Sequence, residues 1–128
     1  MQRLLYLILF IFLSCASTVT KTKTVNDSDK IVIENKKLEY EVIIIEPGFS
    51  SWLVTQKPMS YYSQSTLEIK NKFYVVTWNQ RVLQPFNYST DLYEMRIDYD
   101  SYVDYGLEVN YKLFMYFTYF QQKYKQKL

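Results

Sequence analysis

Acid chemistry is the first possibility that the residue types raise. Asp98, Asp100 and Asp104 fall within seven residues, and Glu108 follows four positions after Asp104. Two carboxylates flanking a cleft at roughly 5–10 Å can hydrolyse a glycosidic bond without help from histidine. This spacing does not make a calcium loop, which needs oxygen ligands at alternate positions, a central glycine and a closing glutamate. Turn and strand-end positions with solvated side chains explain these acids better, so a carboxylate-dependent hydrolase ranks third among the functions considered. Other catalytic apparatus is missing from the composition. The sequence has no histidine, one cysteine and two glycines. A serine therefore has no imidazole partner, no histidine or cysteine cluster can hold a metal, and no glycine-rich loop can cradle phosphate. No cofactor and no metal are expected.

A second polar set is Asn79, Arg81, Asp98, Glu108 and Asn110, with Trp78, Tyr99 and Tyr111 next to three of them. The planar fork of arginine suits a carboxylate, and a small core can use such a pair to fix its register. The set is read first as structural, with Arg81 against Asp98 or Glu108, and second as a ligand site. The aromatic load is the third chemical feature: 14 Tyr, 8 Phe and 2 Trp. Tyrosine joins an apolar ring to a polar tip, so it serves a thin core, a glycan platform or a protein-binding surface. Most of the tyrosines are assigned to the core. Trp52, Tyr61 and Tyr62, around a proline-bounded loop, are the candidate aromatic contacts.

The sole cysteine has its own chemistry. Arg3 precedes the apolar run Leu4 to Leu13, which ends in Leu13-Ser14-Cys15. Ten helical residues rise only about 15 Å, half of a hydrocarbon core, so the run has the dimensions of a secretory signal and not of a span. A small residue before a lone cysteine at that point resembles a bacterial lipobox, although Phe12 stands where leucine is usual. Residues 1–14 are accordingly read as a lipoprotein signal peptide, with Cys15 as the lipid attachment. Residues 15–30 form the lipidated cysteine and a polar, aromatic-free tether with a reach of about 20 Å. No aspartate follows Cys15, which by lipoprotein sorting rules favours an outer membrane, facing the periplasm. The formal net charge of +2 gives no basic field for nucleic acid.

The elements that must position these residues lie in 31–128, read as a single domain. Ile31 to Ile33 reads as a short strand. Leu38 to Glu46 alternates and then turns wholly apolar, a strand ended by Pro47-Gly48. Phe49 to Leu53 reads as a short helix. Thr66 to Leu83 has helical spacing in Leu67, Tyr74, Trp78 and Val82, behind a capping-box pattern of Ser65 and Glu68. Tyr93 to Tyr99 alternates cleanly and predicts a half-buried strand. Leu107 to Tyr124 carries two adjacent apolar stripes and predicts a mostly buried helix. The expected class is α+β: two or three strands packed against two main helices.

The segments YEVIIIEPGFSSWL (40–53), YYSQS (61–65), WNQRV (78–82) and IDYDSYVDYGLEVNYKLFMYFTYFQQKY (97–124) resemble a family of short uncharacterised lipoproteins from Bacteroidota. The resemblance covers the chain from about Leu38 onward and implies an exported lipoprotein with no assigned activity. It also implies that Trp78, Asn79, Arg81, Asp98, Asp104, Gly106, Glu108, Asn110 and Tyr111 belong to the characteristic set of the family. The function expected is that of a non-catalytic envelope protein, held to the membrane by its lipid and binding or supporting an envelope protein. A glycan or peptidoglycan binding module is the alternative.

Overall fold

The computed structural model describes the backbone of residues 30–35 and 40–45, and both backbone and side chains over 46–128. The segment 1–14 read as a signal peptide, Cys15 and the expected tether up to residue 29 lie outside the described residues. Two backbone segments, β1 (Lys30–Asn35) and β2 (Tyr40–Ile45), pair antiparallel as a ribbon, with Lys30 opposite Ile45 and Asn35 opposite Tyr40. Over 46–128 the chain is 55% helical and contains no strand. The α+β expectation is therefore corrected: no sheet forms the core of the domain, and its body is built from helices. The segment 93–99, expected as a strand, is irregular.

Three helices make the body: α1 (Phe49–Leu53), α2 (Gln64–Val82) and α3 (Gly106–Tyr124). A 3-10 turn at Met59–Tyr61 follows Pro58. Gly48 precedes α1 at φ +86°, and a Cβ there would lie 2.9 Å from the hydroxyl of Tyr119. Both the backbone conformation and the space thus require glycine at this corner. α2 is capped by Ser63, whose hydroxyl accepts from the Thr66 amide at 3.3 Å, and not by the expected Ser65. Its buried residues are Leu67, Asn71, Val75 and Trp78, a single helical face. α3 buries Asn110, Tyr111, Leu113, Met115, Tyr116, Phe117 and Phe120, matching the expectation of a mostly buried helix. Lys125 ends it in the left-handed conformation at φ 53°.

The cross-helix contacts fix the direction of packing. Asn71 meets Asn110, Tyr74 meets Phe114 and Phe117, Trp78 meets Phe117 and Phe120, and Arg81 reaches the Lys127 carbonyl. Residue numbers rise together, so α2 and α3 run side by side in the same sense. A 19-residue helix is about 28 Å long, and the connection over residues 83–105 must travel back that distance before α3 can begin. It does so as an extended layer. Tyr93 packs on Trp78 and Phe120, the Met95 carbonyl meets Trp78, Ile97 meets Asn79, and Tyr99 meets Asn110.

That return path explains the failed strand. Its alternation holds in part: Tyr93 and Ile97 are buried, Tyr99 is half-buried, and Glu94, Arg96 and Asp98 are exposed, but Met95, expected on the buried side, is exposed. Among the described residues no neighbouring strand supplies a ladder, however, and helix α2 lies underneath in its place. Side chains of α2 take over the backbone hydrogen bonds, since buried amides and carbonyls must find partners somewhere.

Candidate functional site

Asn79 shows the substitution most clearly. Its Nδ2 donates to the Ile97 carbonyl and its Oδ1 accepts from the Ile97 amide, both at 2.8 Å. One amide side chain thus reproduces a rung of a β-ladder. The preceding residue, Trp78, donates from Nε1 to the Met95 carbonyl at 2.9 Å. Arg81 donates to the Tyr93 hydroxyl at 2.5 Å and to the Lys127 carbonyl, and its guanidinium lies over the rings of Tyr88 and Tyr93. The expected pairing of Arg81 with Asp98 or Glu108 is not what forms. The arginine joins α2, the return segment and the C-terminal end of the chain through a phenol and a carbonyl.

A second polar knot lies at the other end of the helix pair. Asn71 and Asn110 are fully buried, and Asn71 Nδ2 donates to the backbone carbonyl and the Oδ1 of Asn110 at 2.9 and 3.1 Å. Asn110 also accepts from the Tyr99 hydroxyl at 2.7 Å and donates to the Gly106 carbonyl. The knot needs Tyr99 neutral, because its O–H is the donor. Burial foremost, and then the carboxylate of Glu68, push that phenol up to about 12.

The acids separate. Asp104 accepts from the Gly106 amide and from Gln64 Nε2, which ties the start of α3 to the first turn of α2. Glu108 pairs with Lys112 one turn on, at 2.7 Å on an open helix face, and that ammonium holds its carboxyl below the usual range. Asp98 lines a shallow depression of about 380 Å³ with Asn79, Arg96, Ile97 and Tyr99. Among the described residues Asp98 is the one acid lining that depression, so the depression does not bring together the two carboxylates that the third reading, the carboxylate hydrolase, requires. Among the described residues, no group of three metal-binding side chains is placed to hold an ion.

The three aromatic contact candidates go different ways. Trp52 is half-buried against Tyr119, with Nε1 donating to Gln122. Tyr62 is half-buried between Tyr111 and Phe114 near the other end of α3. Tyr61 is exposed, with the Lys57 ammonium 3.8 Å above its ring. Trp52 and Tyr62 thus pack along α3 as parts of the core edge. Tyr111 from the resemblance set likewise has a structural bond, donating to the Lys57 carbonyl at 2.8 Å.

One functional-looking cluster has no counterpart in the sequence reading. Glu46, only 8% exposed, accepts from Lys123 Nζ at 2.6 Å and from the Tyr124 hydroxyl at 2.8 Å. Lys123 and Tyr119 also donate to the Pro47 carbonyl. This clasp fastens the residues that follow β2 to the last turn of α3. A charge closing an apolar run immediately before Pro-Gly was its only sequence signal, and nothing in the spacing pointed to Lys123.

The sequence pattern of a family of unknown function, DUF6146, matches residues 3–128. The chain belongs to this family. The DUF6146 match includes the apolar run and Cys15 as well as the helical body. No curated protein matches the chain, and no solved structure does.

Proposed function

We propose that this DUF6146 protein is a bacterial envelope lipoprotein of the Bacteroidota type, acting as a non-catalytic binding or structural protein. The carrying observation is where its polar residues go. Asn79, Arg81, Asp104 and Asn110 each hold backbone or another structural side chain, which leaves a rigid body in place of a reaction centre. In this reading Cys15 carries the lipid, the polar tether keeps the body near the periplasmic face of an outer membrane, and the body engages an envelope protein.

Labelling cells with a palmitate analogue tests the reading. The full chain should take up label and fractionate with the outer membrane, whereas Cys15→Ser should lose the label. Unchanged labelling of that variant would sink the anchor. Mild crosslinking followed by affinity purification should then return a discrete envelope protein, and the same protein should be lost when the body is unfolded by a core substitution such as Phe117→Asp. Turnover of cell-wall glycan by the purified protein would overturn the non-catalytic assignment.

A further inference from the structure

α2 is apolar on both of its faces, and among the described residues only one of them is packed. Leu67, Asn71, Val75 and Trp78 face the core. On the opposite side, Ile69 is 62% exposed, Phe73 69% and Val76 50%, and Leu83 continues the line at the end of the helix. The spacing of 4, 3 and 7 keeps these four on one stripe. Phe86, in the turn just beyond, is fully exposed. Single exposed apolar residues are ordinary, but a stripe along a whole helix facing away from the core marks a surface that something covers.

Charge indicates what that something is. Lys70 and Lys72 are exposed and lie on opposite flanks of the stripe, about 60° and 100° around the helix from Phe73. Among the described residues neither pairs with a carboxylate. Glu68, the one acid of α2, is turned toward the core side, where Gln64 donates to it. An apolar stripe with a lysine on each side, and no acid on that face, is the pattern of a helix lying in the headgroup region of an anionic bilayer. A second copy fits worse, because both edges of such an interface would bring lysine toward lysine.

The tether supplies the second argument. If Cys15 is acylated, residues 16–29 reach only about 20 Å, so the body stays within roughly one domain diameter of the lipid surface. We infer that the outer face of α2 docks on the anionic lipid surface to which the chain is tethered, with Ile69, Phe73 and Val76 entering the headgroup layer and Lys70 and Lys72 meeting lipid phosphates. This inference rests on the proposed lipid anchor. It leaves the 91–104 segment, held on the core side of α2 and at its edge by Trp78, Asn79 and Gln64, facing away from the membrane for a protein partner.

The test uses the full chain as processed by the cell, carrying Phe73→Cys or Tyr102→Cys labelled with an environment-sensitive fluorophore. Both positions are exposed, so neither change touches the core. In vesicles containing phosphatidylglycerol, the probe at 73 should shift to the blue and be quenched by nitroxide-bearing lipid, while the probe at 102 should do neither. Lys70→Glu with Lys72→Glu should reduce the docked fraction severalfold, since each lysine near an anionic surface contributes about fivefold in affinity. Equal solvent exposure at 73 and 102 would overturn the inference. So would a blue shift at 73 that lipid nitroxide does not quench and that grows with protein density, which is the signature of a second copy. Labelling of the unsubstituted chain would reveal a free Cys15 thiol. That outcome would defeat the anchor, and Phe73→Cys combined with Cys15→Ser, labelled at 73 alone, would then decide docking separately: quenching by lipid nitroxide would support it and no quenching would overturn it.

Discussion

Asn79 carries more of the architecture than its size suggests. Ile97 is 3% exposed, and its amide and carbonyl both find their partner in Asn79. Leaving a buried backbone group unpaired costs about 1–3 kcal/mol, well above the net worth of an ordinary surface hydrogen bond. Asn79→Ala is therefore expected to lower unfolding stability by at least that amount in urea titration. Gln80→Ala, on the exposed side of the same helix, should change it by less than about 0.5 kcal/mol. Equal effects from the two substitutions would show that the side-chain rung is not structural. Arg81 follows the same logic through a different geometry. Its guanidinium spans the Tyr93 hydroxyl and the Lys127 carbonyl, and a lysine cannot fork between them, so Arg81→Lys should loosen the C-terminal end without emptying the core.

At the scale of elements, the helices were readable and their neighbours were not. The stripes of 66–83 and 107–124 placed both long helices to within two residues of α2 and α3, because one buried face at helical spacing is a local property. Alternation in 93–99 recorded burial on one side and could not record what lay alongside, which proved to be a helix with amide and indole side chains in place of a strand. The partners of the polar residues grouped as one set are not visible in the sequence: Arg81 meets a phenol from the return segment and a carbonyl far down the chain, while Glu108 pairs with Lys112 on an open helix face. The cap was misplaced for a related reason. Ser63 and Ser65 both precede the periodic run, and the side-chain bond to the Thr66 amide decides between them. Ser63→Ala should therefore cost about 1 kcal/mol and Ser65→Ala close to nothing, measured as shifts in the thermal midpoint. The two faces of α2 separate in the same way. Phe117→Ala removes a ring with no exposure and should cost about 3–5 kcal/mol, whereas Phe73→Ala removes one already in solvent and should be nearly neutral.

For the whole molecule, the concentration of tyrosine in a thin helical core makes stability a matter of phenol chemistry. Burial raises the hydroxyls of Tyr99, Tyr111, Tyr116 and Tyr124 above the ordinary phenol value, Tyr99 to about 12. A group that binds its proton more tightly when folded contributes stability that is complete below the unfolded pKa, near 10, and that is lost as pH rises through the folded value. Between about pH 10 and 12 the unfolded chain releases these protons while the folded chain retains them, so each buried tyrosine steepens the fall. Lys123 reinforces the trend: desolvation presses its pKa down, but the bond to Glu46 outweighs that and raises it, so the clasp too survives until strongly alkaline pH. The molecule should thus be insensitive to pH through neutrality and unfold cooperatively in alkali, with the tyrosinate absorbance of the buried rings and the loss of helical circular dichroism rising together. Tyr99→Phe should make the fall shallower above pH 10 while lowering stability at pH 7, since it deletes both the retained proton and the donor to Asn110. Tyrosinate forming near pH 10 at Tyr99 or Tyr116, read as the difference in absorbance from the matching Phe variant, with the helices intact would show that these rings are wet, and that the core is not the one that α2, α3 and the return segment enclose.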